Sequence, residues 1–204
     1  MNSWQATALN TAPDSENQIH SDELAKEYGF KGGLVPGVTV SAYLLHPVIE
    51  SFGEPWLANG YADCKITSPL YDGEIFTVSS ENLKEGYCNT FLRNQEGRII
   101  ANAESKLIKN KLLEPKYRGD LLVQENFKAP KASFAIWDEL KKEGCRAFEF
   151  HWGGKDPLIY LSDERLLPEI LQPKGGGYAN LCFLLGCSNW ILAGNAFMNP
   201  WVHL

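Results

Sequence analysis

The sequence predicts an α+β protein in which one long apolar helix is wrapped by an antiparallel meander. The helix is read from Val38 to Phe52, where Val40, Tyr43, Leu44, Pro47 and Val48 fall at helical spacing ahead of a stop at Gly53. The meander is read from segments near 60–67, 74–83, 87–94 and 98–108, rich in Thr, Val, Ile, Phe and Tyr. Tyr71-Asp72-Gly73, Glu85-Gly86 and Gln95-Glu96-Gly97 separate these segments as turns. A helix that is apolar on most of its faces must be enclosed, and the meander following it is the enclosure.

The remaining elements fall into place around that pair. Trp4 to Thr11 alternates as a first strand, broken by Ala12-Pro13-Asp14. Ser21 to Tyr28 is a short helix with a Ser cap, early acids and an end at Gly29. Strand, short helix, long central helix and meander are the element order of a hot-dog fold, in which the sheet curls around the helix. Residues 1–108 form one such unit, and the charged, Pro-containing stretch 109–132 reads as a linker.

After the linker the pattern recurs in fainter form. Ser21-Asp22-Glu23 returns as Ser162-Asp163-Glu164, Lys31-Gly32-Gly33 as Lys174-Gly175-Gly176, and Pro55-Trp56 as Pro200-Trp201. Tyr178 to Ala196, with Leu181, Leu184, Leu185, Trp190, Ile191 and Leu192, suits a second central helix, the alternative being a core helix of an unrelated small domain. Residues 133–204 are therefore expected to be a partial, degenerate second hot-dog unit. Its helix lacks a following meander, so the first unit, another protomer or further chain must cover it.

Composition limits the function classes. The 204 residues are 44% hydrophobic and 22% charged, which excludes a disordered or fibrous chain. A net charge of −6 with no dense Lys/Arg run makes nucleic acid a poor partner. Met1-Asn2-Ser3-Trp4-Gln5 is neither basic nor apolar, and no apolar run reaches about 18 residues, so neither a secretory leader nor a membrane span is expected. Five cysteines, an odd number outside any CxxC pair, fit reduced thiols in a cytoplasmic protein better than disulfides, and no metal site is implied.

Two places could carry chemistry. Asp14-Ser15-Glu16-Asn17-Gln18-Ile19-His20 brings an imidazole, a carboxamide and carboxylates into one loop. The imidazole titrates near neutral pH, and a neighbouring carboxylate would fix its tautomer or share proton transfer; the plainer alternative is that His20 caps or packs the short helix. The second place is Pro36-Gly37, where free amides at the start of the central helix form a positively polarised spot that could hold a thioester carbonyl oxygen and its enolate. Glycine spacing there matches neither a Walker nor a dinucleotide loop. Other candidates are weaker. His46 reads as a core residue on a helix that Pro47 should kink, Cys182 and Cys187 as small hydrophobes, His151-Trp152-Gly153-Gly154 as a structural turn, and His203 as uninformative.

Asn17-Gln18-Ile19-His20-Ser21-Asp22, Ala25, Gly29-Phe30 and Gly33-Leu34-Val35-Pro36-Gly37 together resemble the MaoC-like, R-specific enoyl-CoA hydratase branch of the hot-dog superfamily. The resemblance covers most of 1–108 and, more faintly, the second copy, which implies a double-hot-dog plan. It implies that His20 is the acid/base, that Asn17 orients it, and that Gly37 contacts the substrate oxyanion. Gly33, Val35, Pro36 and Val38 are then expected to line the substrate. Ser15 stands where the family has Asp, Gln18 where it has Pro, and Pro36 where it has His. Asp14 or Glu16 would have to supply the carboxylate, and Leu161, beside the position equivalent to His20, makes the second copy non-catalytic. The implied substrate is an enoyl or 3-hydroxyacyl thioester whose coenzyme A or carrier pantetheine is part of the substrate, with no separate cofactor. Thioester hydrolysis and non-catalytic acyl binding remain as alternatives. A homodimer or larger homo-oligomer is expected from the free sheet edges and the half-wrapped second helix.

Overall fold

The computed structural model describes residues 2–84, 86–108, 127–152, 160–172 and 178–199. Most of the expected linker, Gly153-Gly154, the Lys174-Gly175-Gly176 and Pro200-Trp201 repeats and His203 lie outside the described residues.

The first half is a hot-dog fold. Strand β1 (Asn2–Thr7) is followed by a short helix α1 (Asp22–Glu27) and the long helix α2 (Gly37–Phe52). Then come α3 (Glu54–Asn59) and four strands, β2 (Gly60–Ile66), β3 (Ile75–Lys84), β4 (Tyr87–Asn94) and β5 (Ile99–Leu107). All five strands join one antiparallel sheet in the order β1-β3-β4-β5-β2. The register brings Trp4, Val78, Leu92, Ala101 and Ile66 into one row across the sheet. Strand side chains alternate between faces, so Ala6 and Phe76 continue the same face. Against that face α2 buries Val40, Tyr43, Leu44, Val48 and Ile49, each at most 1% exposed. Side chains of this size contribute about 1.5–3 kcal/mol each when fully buried, which makes α2 the organising element.

Aromatic rings fix how β1 lies on α2. Trp4 stacks on His46 with centroids 3.8 Å apart and planes 8° from parallel, while Tyr43 meets Phe76 at 4.4 Å. The Tyr43 hydroxyl accepts the Leu9 N–H at 2.9 Å, which ties the end of β1 to mid-helix. His46 is a core residue, as expected. The helix runs on through Pro47, whose carbonyl accepts the Ser51 hydroxyl at 2.7 Å.

The second half contributes helices α4 (Phe134–Glu143) and α5 (Leu181–Asn195). Helix α5 is the element read from Tyr178 to Ala196; its first residue is set by Asn180, whose carboxamide accepts the Phe183 N–H at 2.9 Å. It packs on α2, with Cys182 Sγ 3.3 Å from Thr39 Oγ1. The stretch 148–152 runs along α5, placing Phe150 on Trp190 and Trp152 on Phe183. Tyr160 and Leu161 join the α2 core.

Helices α3 and α4 are absent from the sequence reading. Pro55 sits in the first turn of α3, where its missing N–H costs nothing. Helix α4 fully buries none of its residues; Ile136, Trp137 and Leu140 form a half-buried stripe, and the Ser133 cap to Ile136 N (3.3 Å) marks its start.

His46 gives the fold an acid sensitivity. The groups facing it are Trp4 on its ring, the Tyr160 hydroxyl 3.1 Å from Nδ1, and Glu50 Oε1 3.4 Å from Nε2. Burial lowers its pKa from 6.5 to about 4. Between these values the unfolded chain holds the extra proton, so stability should fall as pH drops from 6.5 towards 4, by up to about 3 kcal/mol from this group. Burial raises the Glu50 pKa, which acts in the opposite sense. Urea unfolding at pH 7 and pH 4.5 should show wild type losing more stability than His46→Gln.

Candidate functional site

The candidate site is the seam where the loop before α1 meets the strand-like lead-in to α2. Gln18–His20 forms one 3-10 turn, held down by Ile19, which is 6% exposed. Ser21 ends that turn and caps α1 through the Leu24 N–H. Across the seam the Leu34 N–H donates to Ile19 O at 2.9 Å, and His20 Nδ1 lies 2.7 Å from Leu34 O. Asn10 Nδ2 donates to His20 O at 2.8 Å, and the Gly33 N–H donates to Asp22 Oδ1 at 2.8 Å. Beyond Leu34, the Val35 N–H donates to Leu70 O at 2.9 Å, and Pro36 delivers the chain into α2.

This lacing fixes the imidazole's chemistry. A carbonyl can only accept, so Nδ1 must carry hydrogen and Nε2 keeps its lone pair in the neutral ring. The Asn17 carboxamide is 3.4 Å from Nε2, a long contact that orients the ring. Burial lowers the His20 pKa, with the bond to Leu34 working against that effect, so the ring is neutral at pH 7. Three residues beyond Leu34 are the first amides of α2. Those of Gly37 and Val38 have no acceptor among the described residues, and they lie at the positive end of a 16-residue helix. The imidazole is thus hydrogen-bonded to the same stretch of backbone, Leu34 to Gly37, that leads into the first amides of α2.

The other expected site residues divide. Gly37 is exposed and Val38 half-buried, so both are accessible. Val35 (4% exposed) and Pro36 are buried, and Gly33 is buried beneath the turn. A Cβ on Gly33 would lie 2.3 Å from His20 O, so glycine there serves the close approach of two backbones. Asp14 and Glu16 are exposed, and neither carboxylate is hydrogen-bonded to His20 among the described residues; Ser15 turns its hydroxyl to Asn17 O at 3.3 Å. The carboxylate expected beside the imidazole is not there, because Ala12 to Glu16 loops outward before Asn17.

Residues that sequence reasoning passed over do much of the positioning. Asn10 and Asp22 hold the two sides of the seam, and Asn199 reaches Gln18 from the far end of the chain. Thr11 and Thr39 share a hydrogen bond of 2.7 Å beside Cys182. Burial raises the Cys182 thiol pKa, consistent with its reading as a small hydrophobe. His151 does have a neighbour, Glu149 at 3.4 Å, but the pair is exposed and worth little. Among the described residues no three His, Cys, Asp or Glu side chains are grouped to hold a metal, and no helix is long and apolar enough to cross a membrane.

No protein-family model matches the sequence, and no curated protein is similar to it. Solved structures are. The full-length peroxisomal multifunctional enzyme type 2 from Drosophila melanogaster is 18% identical over 52% of this chain, with a TM-score of 0.46, and the match spans 22% of that enzyme's length. The (R)-hydratase from A. caviae involved in PHA biosynthesis is 17% identical over 52% of this chain and 93% of its own, with a TM-score of 0.39. A MaoC-like dehydratase from Rhodospirillum rubrum is 15% identical over 54% of this chain and 90% of its own, at 0.38. Each covers little more than half of the chain.

The two glycines of the seam should respond differently to a methyl group. Gly33→Ala must push the His20 turn off the lead-in, because the clash is with backbone, and should cost about 2 kcal/mol or more. Gly37→Ala meets only Ile66 Cδ1 at 3.3 Å, a side-chain end that can rotate, and should change stability by less than about 1 kcal/mol. Thermal unfolding of the two variants checks the contrast.

Proposed function

We propose that the protein adds water across, or removes it to form, the double bond conjugated to an acyl thioester. The observation that carries this reading is the bond from His20 Nδ1 to Leu34 O, which leaves Nε2 as the bare nitrogen of a neutral ring anchored three residues ahead of the first amides of α2. In the hydration direction, Nε2 takes a proton from water while the oxygen bonds to C3. The C2=C3 electron pair moves to C2 and the carbonyl oxygen, where the Gly37 and Val38 amides hold the negative charge. The imidazolium then returns the proton to C2, so one residue serves as base and acid and the sum is one water added. Asn17 keeps the ring turned towards the substrate. Coenzyme A or carrier pantetheine enters as part of the substrate and leaves with it.

One observation favours a second reading, that of an acyl-thioester binder without turnover. The exposed Asp14 and Glu16 leave His20 without a carboxylate partner among the described residues. The same measurement separates the two. Loss of the conjugated-enoyl absorbance of crotonyl-CoA, lowered about 10²–10⁴-fold in kcat by His20→Ala, supports the hydratase. A rise in Tm with butyryl-CoA and no turnover supports the binder.

The pH dependence has a definite sign. Hydration needs neutral His20, whose pKa burial lowers, so kcat/KM should stay on its plateau below pH 6.5 and fall only as pH drops through the lowered value. A profile whose acid limb lies above pH 6.5 contradicts His20 as the base.

A further inference from the structure

The inner face of the sheet changes character along its length. The row Trp4, Val78, Leu92, Ala101 and Ile66 is apolar. In the next row of the same face Ser80 pairs with Thr90 and Thr90 with Ala103; in the row after that Cys88 pairs with Ser105 and Ser105 with Ala62. Strand residues two apart share a face, so Ser80, Thr90 and Ser105 point inward as Val78, Leu92 and Ala101 do. A fourth polar group arrives from α3. A Cβ on Gly60 would lie 2.5 Å from Trp56 Cε2, so the indole occupies the side towards which Gly60 would point. Gly60 stands two residues from Ala62, which puts that ring on the inner face next to the Ala62–Ser105 pair.

These four groups are buried without partners. Thr90 and Ser105 are 0% exposed, Trp56 5% and Ser80 6%. Neither the three hydroxyl oxygens nor Trp56 Nε1 makes a hydrogen bond among the described residues. The Cys88 thiol lies beside Ser80 but donates to Asn89 O at 3.6 Å. A buried donor or acceptor left unmade is costly, and protein interiors seldom keep one, still less four on one patch. The alanines at 62 and 103 alternate with the hydroxyls and leave space that a larger side chain would fill.

We infer that this end of the inner face is an internal water site, in which ordered water joins Trp56 Nε1 to Ser105, Thr90 and Ser80. The indole can only donate, so water accepts from it. The hydrogens of that water go to the hydroxyl oxygens, which rotate to suit. A polar pocket offering two to four partners is the kind of place where buried water resides, and such water is part of the fold. The site is separate from the His20 seam and does not rest on the function proposed for it.

Two measurements on the full chain test the inference. Thr90→Val keeps the shape of the side chain and removes its hydroxyl. If Thr90 holds water, the variant takes away one of its partners and Tm should fall by about 2–4 °C, whereas loss of a dry, unbonded hydroxyl should raise Tm. Ser105→Ala should also lower Tm, and the double variant should fall by less than the sum, because both side chains act through the same water. A high-resolution crystal structure should show ordered solvent within hydrogen-bond distance of Trp56 Nε1 and of at least one of the three hydroxyls. An unchanged or raised Tm in Thr90→Val, or a crystal structure without that solvent, overturns the inference.

Discussion

Leu34 gives both of its main-chain polar groups to one three-residue turn. Its N–H goes to Ile19 and its carbonyl to the His20 ring, so the imidazole cannot move without the lead-in to α2 moving with it. Everything proposed for the site follows from that constraint. The tautomer is set by a carbonyl, the lowered pKa by the burial the seam enforces, and the path from the ring's anchor to the helix start by the three residues that follow Leu34.

The seam is firm because α2 is. A helix whose residues from Thr39 to Ile49 are nearly all buried cannot tilt or slide without exposing large side chains, and the sheet holds it through Phe76, Val78, Leu92 and Ala101. The lead-in is fastened to the same frame by the Val35–Leu70 bond and by an isolated bridge from Leu34 to Tyr71. A loop residue gains the precision of a core residue by this route: the catalytic candidate lies in a turn, but the turn is bonded to a strand-like segment that the core cannot release.

Much of the fold was legible in the sequence because its signals are local and repeated. Turn residues at 71–73, 85–86 and 95–97 fall between the observed strands, and Gly53 marks the observed end of α2. Helix α5 was legible for the same reason, being apolar over four turns. What could not be read was the set of side chains that act across long separations. Asn10 and Asp22 are ordinary loop and helix-start residues until the seam closes, and Asn199 has no local mark at all. Val35 and Pro36, which the resemblance put beside the substrate, are both buried at the entry to α2.

The state of the neutral imidazole tests the account most directly. Histidine in water favours hydrogen on Nε2, whereas the seam requires it on Nδ1. Long-range ¹⁵N–¹H correlation spectra of the full-length protein at neutral pH, with His20 assigned, should show Nδ1 as the protonated nitrogen and Nε2 as the bare one. Hydrogen on Nε2, or rapid exchange between the two forms, contradicts the bond to Leu34 and with it the placement of a base beside the start of α2.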